Sequence, residues 1–161
     1  MEILESGRWR PWLACALFVS ACSNASASTD TSSSASDDAM QVVQQWATAF
    51  TESNVDAIVS LYTPDALFFG TGSQTLVTAP EDIRSYFETA LQRDLPRGAE
   101  LLEHSVRAVS DDVVIVTGMD RVTGTRDGSV YANDGRVSFV LQKRGGSWQI
   151  VHFHRSAVPT G

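Results

Sequence analysis

His152 and His154 alternate along an apolar run near the C-terminus, so in a strand both imidazoles point the same way, as two ligands of a metal ion would. A metal enzyme would need a third ligand from His104 or an aspartate. Packing in a subunit contact, or on the surface of a sheet, asks less of the same two residues, and no metal is expected. Tyr62, Asp65, Tyr86 and Asp120 are available for proton transfer, but no pair of them stands out as an acid and its base. No catalytic residue is assigned. The cations are more distinctive, with 11 arginines to a single lysine, Lys143. Where cations matter here they are planar forks rather than point charges.

These residues sit in a chain of 161 residues with a net charge of −7, a length that suits one domain. The acidic balance excludes non-specific nucleic-acid binding, which needs a basic footprint against phosphate. Both cysteines, Cys15 and Cys22, lie near the N-terminus, so the domain can hold neither an internal disulfide nor a cysteine-based metal site.

Arg8 and Arg10 precede an apolar core from Trp12 to Val19, too short for a permanent span of roughly 30 Å of hydrocarbon and suited to an export signal. Val19-Ser20-Ala21-Cys22 resembles the bacterial lipoprotein box. The resemblance implies cleavage after residue 21, acylation of Cys22, and a membrane-anchored protein of the periplasm or cell envelope. Residues 22–38 are rich in Ser, Thr, Ala and Asp and hold no aromatic or large aliphatic side chain. Such a segment buries too little to offset its ordering entropy and is expected to be a flexible tether.

The domain then runs from 39 to 159. Met40, Val43, Ala47 and Phe50 recur at helical spacing, and Asp38 with Gln41 resembles a capping box, predicting a helix over 39–52. Asn54 can cap a second helix reaching Tyr62, and Pro80 opens a third through Ile83, Phe87 and Leu91. Leu67-Phe68-Phe69 and residues 74–77, flanking Gly70-Thr71-Gly72-Ser73, read as a short hairpin. Four long strands follow over 101–109, 113–123, 129–142 and 148–157, separated by Asp/Gly turns. The fold class is α+β: a curved antiparallel sheet, cone-shaped, with three N-terminal helices on its concave face.

The last strand carries a resemblance. Trp148-Gln149-Ile150-Val151-His152-Phe153-His154-Arg155-Ser156 closely resembles the end of the association (hub) domain of calcium/calmodulin-dependent protein kinase II, within the nuclear-transport-factor-2-like, or SnoaL-like, superfamily. Arg84-Ser85-Tyr86-Phe87-Glu88 and Asp120-Arg121-Val122-Thr123 match in the same order. No kinase signature accompanies them. The resemblance implies a cone with an arginine-lined pocket for a carboxylate-bearing small molecule, onto which Arg121 and Arg155 match residue by residue. The family's third arginine falls on Phe139, and Arg136 replaces it only if the register shifts. Tyr86 or Phe139 would pack against the apolar part of the ligand. If Arg155 faces the interior of a regular strand, Trp148, Ile150, His152 and His154 face away from it, and the first three are expected in a homodimer or larger ring. The functional expectation is a lipid-anchored domain that binds a carboxylate ligand and itself, without a cofactor. A small isomerase or hydrolase of the same fold and a purely structural oligomerisation module are the alternatives.

Overall fold

The computed structural model describes residues 26–160, so the leader, the lipoprotein box and Cys22 lie outside the described residues. Helix α1 (Ser26–Thr51) starts earlier than the sequence predicts, with Asp38 inside it rather than at its cap. The physical reason is the buried stripe Ala35, Ala39, Val43, Trp46 and Phe50, which carries the packed face one turn upstream of residue 39. Helix α2 (Val55–Ser60) is capped by Asn54, whose side chain accepts the Ala57 N–H at 3.0 Å. Helix α3 (Pro80–Leu91) has proline in its first turn and buries Ile83, Phe87 and Leu91.

Tyr62 leaves the second helix and opens a strand instead. Strand β1 (Tyr62–Phe69) lies parallel to the last strand, β5 (Ser147–Ala157). The other strands, β2 (Gly98–Ser110), β3 (Val113–Arg126) and β4 (Ser129–Arg144), pair antiparallel. The sheet is therefore mixed rather than all antiparallel, in the order β1-β5-β4-β3-β2, curved and unclosed. The hairpin expected around Gly70 reduces to one pair, Phe68 with Val77, joined by two N–H···O bonds of 2.9 Å.

The helices cover the inner face, where seven buried aromatic rings interlock and Tyr86 packs at their margin. Phe153 stacks on Trp46 and Phe68, both with centroids 5.2 Å away, and meets Phe139 edge-on at 5.1 Å. Trp46 Nε1 donates to Tyr62 Oη at 2.9 Å, a bond within the core. Burial pushes the Tyr62 hydroxyl well above its ordinary pKa, so it stays a neutral partner of the indole.

A bulge sets which residues of β5 face inward. Val140 pairs with His152 but Leu141 pairs with Ile150, leaving Val151 as an extra residue. Upstream of it Ile150 points inward, and downstream Phe153 and Arg155 do. Ile150, expected in a subunit interface, is fully buried in the core (0 % exposed).

Past α3 the chain is clasped to the β3–β4 hairpin. Asp94 takes Arg126 Nε and Nη2 at 3.1 and 2.6 Å and the Tyr131 hydroxyl at 2.9 Å, while its carbonyl accepts the Thr125 N–H at 2.8 Å. The Arg126 guanidinium, and after it the Tyr131 hydroxyl, lower the Asp94 carboxyl to about 2. A carboxylate depressed in the folded state stabilises above the unfolded value, about 4, and loses that contribution as pH falls toward 2. Asp94→Asn should lower stability at neutral pH and flatten its fall across that window. Urea unfolding measured from pH 5 to 2 checks this, and parallel curves for the two proteins would refute it.

Candidate ligand-binding site

Arg155 sits where β5 runs out beside β4, pointing inward. Its Nε donates to Asp120 Oδ2 at 2.6 Å, its Nη1 to Thr71 Oγ1 at 2.9 Å and its Nη2 to the Asn133 carbonyl at 3.0 Å. The pair is well buried, with side chains 11 % and 5 % exposed. Gly135, across from Asp120 in the β3–β4 ladder, makes this possible. A Cβ there would stand 2.6 Å from both Arg155 Nη2 and Asp120 Oδ1.

Arg121 neighbours Asp120 on β3 and so faces the other side of the sheet. Its guanidinium is bidentate on Asp134, with Nε–Oδ1 at 2.7 Å and Nη2–Oδ2 at 2.9 Å. Both side chains are nearly half exposed. The guanidinium lowers the Asp134 carboxyl below the usual range, and the Arg155 charge adds to the effect. The two arginines belong to opposite sheet faces, yet they meet around the open end of β5. Together with Thr71, Ala132, Asn133, Asp134, Ala157 and Val158 they line one open cleft of about 600 Å³.

The other residues named from the sequence lie elsewhere. Arg136 pairs with Met119 and Ser156 in unshifted register, on the outer face, and does not line the cleft. Phe139 is buried in the aromatic core (1 % exposed), beside Trp46 and Asp120 rather than beside the arginines. Tyr86 lies under the Gly70–Gly72 turn, close enough that a Cβ on Gly70 would fall 2.5 Å from its hydroxyl oxygen. It touches the cleft only through that turn, where Thr71 donates to the Arg155 carbonyl at 3.3 Å. His152 and His154 stand on the outer face beside Leu67 and Phe69 of β1. Burial, and then the neighbouring His154, hold the His152 imidazole below its ordinary pKa. Trp148 packs at the margin of the core under Lys143, whose ammonium lies 5.9 Å from the ring. Asp65, on β1, is held by Arg144 through contacts of 2.7 and 3.2 Å.

Sequence reasoning missed Thr71, Asn133 and Asp134. One signal for Asp134 was present: Asp127-Gly128, both with positive φ, is a two-residue turn that fixes the register and puts Arg121 opposite Asp134. Thr71 carried none, since only the tertiary fold brings the turn after β1 to the end of β5.

A family model for the SnoaL-like domain matches residues 39–161. The chain belongs to the SnoaL-like domain family. Among solved structures this SnoaL-like domain is similar to a Xanthomonas campestris protein described as a candidate calcium/calmodulin-dependent protein kinase II association domain. The identity is 28 %, over 76 % of this chain and 86 % of that one, with a TM-score of 0.70. A candidate scytalone dehydratase from Novosphingobium aromaticivorans shares the fold at 11 % identity and TM-score 0.73, over 83 % and 90 % of the two chains. So does a ketosteroid isomerase-like protein from Erwinia carotovora, at 21 % and 0.66 over 78 % and 97 %. The SnoaL-like domain here shares its architecture with proteins named for quite different activities, so its own function has to be argued from its site.

Proposed function

We propose that this SnoaL-like domain is an exported protein, anchored through an acylated Cys22, that binds a small carboxylate-bearing molecule in the arginine cleft and associates with itself through its outer sheet face. The observation that carries the ligand reading is the convergence of Arg121 and Arg155 on one open cleft. The two arginines play different parts. Arg155 is held by Asp120, Thr71 and Asn133 and is a fixed cationic wall. Arg121 holds an exposed carboxylate, Asp134, in the bidentate geometry that a ligand carboxylate would use. An exposed ion pair contributes little because water competes for both partners, so an incoming carboxylate can take the place of Asp134.

Calorimetric titration with small carboxylates such as acetate and benzoate tests this. Asp134→Asn removes the internal competitor and should tighten binding several-fold. Arg121→Gln should weaken it about tenfold to a hundredfold, the worth of one charge-assisted pair. Absence of carboxylate binding to both the unmutated domain and Asp134→Asn would end the proposal.

The outer face favours self-association: Ile115, Val140, His152 and Leu67 form one cross-strand row there and Thr117, Ser138, His154 and Phe69 the next. Leu67 and Phe69 are 43 % and 36 % exposed, a mixed apolar surface suited to a second copy of the chain. Leu67→Arg should convert a dimer or ring into monomer by light scattering without lowering the melting temperature. A monomeric mass for the unmutated protein at micromolar concentration would exclude the assembly.

A further inference from the structure

His152 and His154 stand side by side on the outer face of β5, in the two cross-strand rows proposed above to meet a second copy. His152 lies between Leu67 of β1 and Val140 of β4, and His154 between Phe69 and Ser138. The His154 and Phe69 ring centroids are 5.9 Å apart. Both histidines are already half-buried in one protomer. Neutral imidazoles suit such a surface. Imidazolium ions do not, because a charge taken out of water needs a partner of opposite sign.

The flanking strands supply no such partner. On β1 the carboxylate is Asp65, and Arg144 already holds both its oxygens, at 2.7 and 3.2 Å. On β4 the charged groups are Arg136, across from Ser156, and Asp134, which is bidentate with Arg121. Arg107 of β2 closes the row of His152, opposite Ile115. Helix α1 packs on the inner face of β5, where Trp46 stacks on Phe153. Among the described residues no carboxylate forms an ion pair with His152, His154, Arg107 or Arg136. An isologous contact sets the same patch on both sides, so protonated histidines and unpaired arginines would meet their own copies.

We propose that His152 and His154 make association through the outer sheet face pH-sensitive: copies join while both imidazoles are neutral and separate when they are protonated. This regulation rests on the self-association reading above and acts at the same surface.

Burial, and then His154, hold the His152 imidazole below its ordinary value, about 6.5, within one protomer. A second copy buries it further and lowers it again. Free protomers then bind the proton better than the assembly does, so association is full above the free-protomer value and weakens as pH falls through it. Each imidazole weakens it by up to about tenfold per pH unit, and the two copies of His152 together by up to about a hundredfold. The overall charge predicts the reverse. At −7 the chain repels its copies at neutral pH, and acid relaxes that repulsion. The Asp65 and Asp134 carboxyls are held below their usual range and stay ionised across the histidine window.

Light scattering of the full chain over a concentration series, at about pH 7.5 and about pH 5.5, tests the switch, with circular dichroism showing the fold intact at both. The dissociation constant should rise about tenfold or more in acid and recover on return to neutral pH. In the double variant His152→Gln with His154→Gln the ratio of the two constants should fall toward one, whatever the affinity at neutral pH. Association unchanged or tighter in acid would overturn the switch and leave self-association standing. A monomer at both pH values would overturn self-association and the switch with it. An unchanged ratio in the double variant would assign the response to other groups and overturn the proposal. Should that variant not assemble at all, NMR titration of the unmutated protein decides. The His152 and His154 resonances should titrate at lower pH in concentrated than in dilute protein, and equal values would overturn the proposal.

Discussion

Arg155→Ala should lower the stability of the domain by about 3–5 kcal/mol, the usual cost of removing one member of a buried ion pair. The replacement strands the Asp120 carboxylate, which is 5 % exposed in its side chain and already has one unpartnered oxygen. It also frees the Asn133 carbonyl and leaves the turn after β1 tied to β5 by Thr71 only through the backbone carbonyl of residue 155. For a domain of this size the melting temperature should fall by roughly 10 °C or more. Arg121→Ala, by contrast, breaks only an exposed pair and should leave the melting temperature almost unchanged. The double change Asp120→Leu with Arg155→Leu should recover much of the loss, because an apolar pair carries no uncompensated charge. Calorimetric melting of the four proteins checks the ordering. Equal losses for Arg155→Ala and Arg121→Ala would show that burial does not distinguish the two pairs.

The contrast between the two arginines also shows where sequence reading stops. Alternation along β3 puts Asp120 and Arg121 on opposite faces, but with Arg121 expected in the cone interior the faces are exchanged: Asp120 is the buried one and Arg121 the exposed one. The helical spacing of α1 and α3 and the Asp/Gly turns between strands were legible because each is a local pattern with a local cause. The parallel pairing of β1 with β5 was not, since it joins segments far apart in sequence and leaves no periodic mark on either. Tyr62 read as the end of a helix because its apolar spacing continued that of Val55 and Ile58. Its strand conformation is imposed by β5, through Ile150 N–H donating to the Leu61 carbonyl at 2.8 Å. The candidate site was half legible for the same reason. The resemblance put Arg121 and Arg155 together in the cone interior, but their approach from opposite faces around the end of β5, and the partners that hold them, are properties of the assembled sheet.

The inversion at Ile150 is the sharpest case, and it makes the second large prediction. Strict alternation from Arg155 back to Trp148 would put Ile150 outside with His152. The extra residue at Val151 reverses the count, and Ile150 joins Leu141 in the core. The two arrangements give opposite expectations for Ile150→Ala. A residue with no exposed surface leaves a cavity when truncated, so the variant should lose about 2–5 kcal/mol and melt roughly 10 °C lower. Ile150→Val, which removes one methylene, should cost about 0.5–1.5 kcal/mol. An interface residue would instead leave the isolated domain nearly as stable and weaken self-association. His152→Ala supplies the comparison, because His152 does lie on the outer face and its loss should change subunit mass more than melting temperature. Denaturant unfolding and light scattering on the same three variants separate the outcomes. Should Ile150→Ala keep its stability and dissociate, while His152→Ala does neither, then β5 runs without the bulge and its faces are exchanged.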